Sequence, residues 1–176
     1  MALFQGKFRI ESARLKGYDY RTPGYYFVTI CAKDRRHYFG EIQQGKALLS
    51  AIGQIADQNW RAISEHFPHV VVDEFVIMPN HVHGILRIMD NNVETQNFAS
   101  LPSYENQFGP QSRNLSSVVR GYKMSVKKWA KTIGIDFSWQ PRFHDHVIRD
   151  DRALYQIRQY IRQNPTAWQT DDYFSA

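Results

Sequence analysis

Apolar and polar positions divide the chain into strand-like and helix-like segments. After the turn signal Pro23-Gly24, Tyr25 to Ala32 (YYFVTICA) is a continuous apolar run that predicts a buried strand. His37 to Ile42 and Ala47 to Leu49, separated by Gln43 to Lys46 with its Gly45, predict a small hairpin. From Ser50 the period changes. Ile52, Ile55, Ala56, Trp60, Ile63 and Phe67 recur at helical spacing, with Ser50 as cap and Pro68 as stop, so a helix runs to about His66. Val70 to Ile88 holds two apolar runs rich in β-branched residues around Pro79-Asn80, which read as two strands joined tightly. Asn114 caps a helix to about Ile133, whose buried face is Leu115, Val118, Val119, Tyr122, Val126, Trp129 and Ile133. Phe143 to Ile148 is a short strand, and Asp150 caps a last helix from Asp151 to about Gln163 before Pro165.

The order is strand, helix, strand, strand, helix, strand and an extra helix. It predicts an α+β, ferredoxin-like split βαβ domain. Such a domain is an antiparallel sheet with helices on one face, here with an added C-terminal helix. One domain is expected over residues 1–176, with a basic arm at 1–22 and a long loop at 89–113. The tail to Ala176 is short and aromatic.

Composition narrows the partner. Lys and Arg number 22 against 17 acidic residues, a net charge of +5, and aromatics make up 14% of the chain. Basic plus aromatic suits single-stranded nucleic acid. Cys31 is the one cysteine, so a disulfide framework or Cys-based zinc site within one chain is ruled out and a reducing cytoplasm fits. No apolar run reaches membrane-spanning length, and no signal-peptide core opens the chain.

Candidate chemistry starts at His81-Val82-His83. On a strand, alternate side chains share a face, so both imidazoles can address one divalent metal or one phosphate. On the last helix, Leu154, Ile157 and Ile161 face the core, and Tyr160 and Asn164 fall beside them, pointing toward the protein body. Tyr122 sits on an apolar face and Tyr155 points to solvent. Arg120, Lys123, Lys127 and Lys131 form a basic stripe that is either a solvated face or a phosphate track. Arg142, Arg149, Arg158 and Arg162 are further phosphate candidates. Trp139 and Phe143 either stack on bases or pack in the core. Asp73 and Glu74, on the strand beside the histidines, keep open a hydrolase that uses metal-bound water. A non-catalytic nucleic-acid-binding regulator is a further reading.

PNHVHG, WQPRFHDHVIRD and IRQYIRQNP, in this order, resemble the single-tyrosine HUH transposases, most closely the REP-associated tyrosine transposase branch. RLKGYDY…PGYYFVTICAKDR…FGEI resembles that branch's start, so the likeness runs from Arg14 to Trp168. It implies that His81 and His83 are a metal-binding pair, Tyr160 the nucleophile and Asn164 the third metal-binding side chain. Related insertion-sequence enzymes often have Gln at that third position. His146, in the FHDH segment, is a candidate neighbour of the site; the family pattern allows an aromatic at His144. The implied activity is cutting and rejoining single-stranded hairpin DNA, assisted by Mg²⁺ or Mn²⁺, through a 5′-phosphotyrosine link. The implied assembly is a monomer or homodimer.

Overall fold

The computed structural model describes residues 17–90 and 113–174, and the paired strands β1 (Leu3–Phe4) and β2 (Lys7–Phe8). Most of the expected basic arm and of the long loop therefore lies outside the described residues. The end of the arm is part of the domain: Tyr20 is buried, and the Tyr18 ring meets it edge-on at 5.2 Å.

Four antiparallel strands form the central sheet: β3 (Gly24–Cys31), β6 (Val70–Ile77), β7 (His81–Ile88) and β8 (His144–Ile148). Their spatial order is β6-β7-β3-β8, the ferredoxin-like arrangement that the element order predicts. The small hairpin also forms, as β4 (Gly40–Gln43) and β5 (Lys46–Leu49), in a sheet of its own.

Alternation along the strands makes two different faces. Tyr26, Val28, Ile30, Val82 and Leu86 point to one side and join a core with α1 (Ala51–Arg61) and α3 (Leu115–Thr132). The opposite side carries Phe27, Thr29, His81, His83 and Ile85, and here α4 (Asp151–Gln163) packs, with Leu154 and Ile161 against Ile85 and Ile148. The added helix therefore lies across the sheet from the other two long helices. Beside α4 the histidine face is covered not by a further helical layer but by the chain that follows that helix, with Trp168 and Tyr173 against His81.

The caps are those the sequence predicts. The side chains of Ser50, Asn114 and Asp150 accept from the backbone N–H of Gly53, Ser117 and Ala153. Two details differ. The helix expected from Ser50 to His66 breaks at Ala62, whose ψ of -1° closes α1, and a single turn, α2 (Ile63–His66), follows. Ile133, expected on the buried face of α3, is exposed because it is already the C-cap, with ψ 12°.

Gly84 belongs to the tight packing. A Cβ there would run into the Trp60 indole, which lies under β7. One register irregularity matters for the site. Between Val72 and Phe75 strand β6 carries one more residue than its partner β7, a bulge that turns Asp73 and Glu74 toward α4.

Candidate active site

His81 and His83 stand on the α4 side of β7, both fully buried, with ring centroids 4.3 Å apart. Each ring is oriented from behind. The Asn80 amide nitrogen donates to the carbonyls of Arg35 and Tyr173, so its oxygen is the atom that meets His81 Nδ1, at 2.7 Å. His81 Nδ1 therefore carries the proton, and Nε2 offers a lone pair. His83 Nδ1 is 2.8 Å from Thr29 Oγ1. When it donates to that hydroxyl, His83 Nε2 is also a lone pair facing the site. Burial holds both rings neutral: His81 is pushed down to about 3, with the Arg35 charge adding to the effect, and His83 lies well below the ordinary histidine value.

α4 brings Tyr160 to this pair. Its hydroxyl is 3.1 Å from His83 Nε2 and 3.2 Å from Asp171 Oδ2. The ring meets Phe27 edge-on at 6.2 Å. Sequence periodicity points Tyr160 at the protein body, but the residue is 42% exposed: its hydroxyl reaches the histidine while a flank of the ring faces solvent. Burial, followed by the Asp171 charge, raises its pKa above the usual tyrosine value. Asn164 caps the end of α4 and is buried, in line with the helical spacing that points it toward the protein body. Its Nδ2 donates to Asp171 Oδ2 at 2.6 Å.

Asp171 was not visible in the sequence as a site residue. The chain turns after Pro165 through the 3-10 segment Trp168–Thr170 and returns to the histidines. One Asp171 oxygen accepts from the Tyr173 backbone N–H, and the other serves Tyr160 and Asn164. Tyr173 then lies 4.9 Å from the His81 ring, centroid to centroid. The only signal for this in the sequence was an acidic pair, Asp171-Asp172, inside an otherwise aromatic tail.

The donor set fits a divalent metal. His81 Nε2 and Asn164 Oδ1 are buried without a hydrogen-bond partner among the described residues, which is costly unless something electropositive meets them. Ligand atoms of His81, His83 and Asp171 lie within 4.8 Å of one another. Imidazole, amide and carboxylate donors together suit Mn²⁺ or Mg²⁺ better than a soft ion.

No protein-family model matches the chain. An uncharacterized protein of Haemophilus influenzae is 40% identical over 171 residues, covering 93% of this chain and 92% of its own. A second H. influenzae protein bears the name of a REP-associated tyrosine transposase; it is 30% identical over 148 residues, which span 84% of this chain and 73% of its own. The chain belongs to the REP-associated tyrosine transposases. The fold agrees. A solved REP-associated tyrosine transposase, bound to a REP hairpin, superposes with a TM-score of 0.58 at 22% identity, over 88% of this chain and 74% of that one.

The other predicted residues of this transposase fall into different environments. Arg120, Lys127 and Lys131 are exposed on α3, across the sheet from Tyr160. Lys123 does not extend with them: its Nζ donates to the carbonyls of Gln140 and Arg142 at 2.8 and 3.0 Å. Trp139 is a core residue, among Phe39, Tyr122 and Phe137, with its indole N–H on the Lys123 carbonyl, so it is not available to stack on a base. Arg142, in the left-handed region at φ 67°, and Arg149 are exposed at the two ends of β8. Arg158 and Arg162 pair with Asp73 and Glu74 at 2.6 Å each. Those two carboxylates are thus bound to α4; the carboxylate at the histidine pair is Asp171. Tyr122 is core, its hydroxyl on the Ala56 carbonyl at 3.2 Å, and Tyr155 is solvent-exposed, both as expected. His146 shares the histidine face but stands beside Phe27, one row away from His83.

Proposed function

We propose that this transposase cleaves and rejoins single-stranded, hairpin-bearing DNA through a 5′-phosphotyrosine on Tyr160. The observation that carries this reading is the Tyr160 hydroxyl 3.1 Å from His83 Nε2, next to the unpartnered donors His81 Nε2 and Asn164 Oδ1. A nucleophile and a set of electron-pair donors converging on one point is what attack on a phosphodiester requires.

His81, His83 and Asn164 would hold the ion, with Asp171 within reach of the same point. A divalent cation there supplies neutralisation of the charge that builds on the non-bridging phosphate oxygens. The residues of the chain do the rest. α4 holds the Tyr160 ring against Phe27, so that the hydroxyl meets the phosphate from one direction. Asp171, already hydrogen-bonded to that hydroxyl, accepts the phenolic proton as the O–P bond forms. Thr29 and Asn80 keep the histidine rings turned with Nε2 forward. The products are a 5′-phosphotyrosine and a free 3′-hydroxyl. Attack by a 3′-hydroxyl reverses the step, so rejoining requires no ATP. The exposed bases of α3 and the arginines at the ends of β8 are the candidate DNA contacts, and the hairpin is the partner expected by analogy with the solved relative.

The test uses a pool of labelled single-stranded hairpin oligonucleotides with randomised flanks, incubated with the protein and Mn²⁺ or Mg²⁺. A protease-sensitive, metal-dependent band retained on a denaturing gel, and lost in Tyr160→Phe, is the expected result. Cleavage without that band would mean water is the nucleophile. Binding of the pool without cleavage would mean a regulator that has kept the fold.

A further inference from the structure

The register of the sheet brings an additional histidine into the row of the site. Thr29 on β3 pairs with His83 of β7 on one side and with His144 of β8 on the other. Side chains in one such row project from the same face, so His144 faces the side on which Tyr160 and the histidine pair meet. Neighbouring strands lie about 4.8 Å apart, which sets His144 and His83 about 10 Å apart at the backbone. Between them stands the small Thr29 side chain, with the Tyr173 hydroxyl hydrogen-bonded to it. β8 is the edge of the sheet, and His144 is exposed there. After burial and the neighbouring His81, His144 is among the groups that keep the His83 ring neutral. His146 is placed differently, in the row of Phe27 and Ile85.

Tyr160 approaches from the opposite direction. α4 packs over β6 and β7, and the Tyr160 hydroxyl reaches His83 from that side. A phosphate seated on this hydroxyl over His83 and Thr29 would lie between Tyr160 and β8, once Tyr173, which rests against both residues, has moved aside. In-line displacement expels the leaving oxygen on the side away from the nucleophile. That direction leads across Thr29 to His144.

We propose that His144 is a further catalytic residue, the proton donor to the 3′-oxygen that leaves as Tyr160 attacks. This inference rests on the reading of Tyr160 as nucleophile. In the cleavage step the Tyr160 O–P bond forms and the P–O3′ bond breaks with its electron pair going to O3′. The phenolic proton passes to Asp171, and the protonated imidazole of His144 gives its proton to O3′. In rejoining, neutral His144 takes the proton from the attacking 3′-hydroxyl, and the phenolate is reprotonated as P–O(Tyr160) breaks. One histidine thus serves both directions, as reversibility of the step demands.

The experiment uses the full chain and the hairpin oligonucleotide that the wild type cleaves best out of the randomised pool. This oligonucleotide is made in two forms: with the normal 3′-bridging oxygen at the scissile phosphate, and with sulfur in its place. A thiolate leaves without a proton donor. Single-turnover adduct formation is then measured for the wild type and for His144→Ala and His144→Gln. The expected result is a loss of about a hundredfold or more on the oxygen substrate in both variants. On the sulfur substrate the loss shrinks to about threefold or less. An equal loss on both substrates would overturn the proposal, since a residue that only binds or supports would slow both. An unchanged rate on oxygen would overturn it as well. If the wild type forms no adduct with any member of the pool, the Tyr160 reading itself has failed, and this proposal falls with it.

Discussion

Arg158 lays its guanidinium along the carboxylate of Asp73, with Nε 2.8 Å from one oxygen and Nη2 2.6 Å from the other. One turn later Arg162 reaches Glu74, with Nε and Nη2 both on the one oxygen Oε2, at 2.7 and 2.6 Å. These arginines flank Tyr160 on α4, and both carboxylates stand on the β6 bulge. The bulge thus holds the helix that aims the tyrosine.

Asp73→Asn is therefore expected to lower stability by about 1 kcal/mol, the scale of a well-formed, partly exposed ion pair. The pH dependence follows from the linkage. Arg158 lowers the Asp73 pKa in the folded state. The contribution is fully present above the unfolded value of about 3.9 and is lost as pH falls through the lower, folded value. Urea melts of wild type and variant should differ at pH 7 and converge as the pH is taken below about 4. A difference that is constant down to strongly acidic pH would contradict the pairing.

Gly84 lies in the histidine motif but acts on the other face of the sheet, where the Trp60 ring occupies the space a side chain would need. Gly84→Ala is expected to cost about 1–3 kcal/mol through overpacking. Trp60 would have to move, and its near-ultraviolet circular dichroism should change with it. An unchanged unfolding midpoint and an unchanged spectrum would contradict the packing described.

Mn²⁺ binding to the protein without DNA, followed by electron paramagnetic resonance, isolates the donor set from catalysis. His81→Ala and His83→Ala should weaken it by at least about tenfold, and Asn164→Ala should weaken it measurably. Asp171→Asn should also weaken it, because the carboxylate both neighbours the ligands and holds Asn164 through Nδ2. Wild-type affinity in the His81 and His83 variants would rule out this pair as the metal site.

Much of this was legible in the sequence because the signals are local. Strand alternation puts His81 and His83 on one face, and helical spacing puts Tyr160 and Asn164 at one end of α4. Caps at Ser50, Asn114 and Asp150 mark where helices begin. The features that escaped are long-range. Asp171 arrives through a turn with no period, so nothing local announces that it meets Tyr160. Asp73 and Glu74 look like neighbours of the histidines until the bulge turns them toward Arg158 and Arg162. Lys123 belongs to a basic stripe by spacing, yet the 140–142 loop supplies two carbonyls that capture it. For Trp139 the sequence leaves base stacking and core packing both open, because aromatic content alone does not distinguish a surface ring from one held by Phe39, Tyr122 and Phe137.

The site also changes which tyrosine competes with Tyr160. Tyr122 is excluded by burial, whereas Tyr173 lies 4.9 Å from His81 and 5.5 Å from His83 between ring centroids. Mass-spectrometric mapping of the covalent protein–DNA adduct, after protease and nuclease digestion, separates the two directly. The account predicts a nucleotide on the Tyr160 peptide and an unmodified Tyr173 peptide. A nucleotide on Tyr173, or on any residue other than Tyr160, would contradict it.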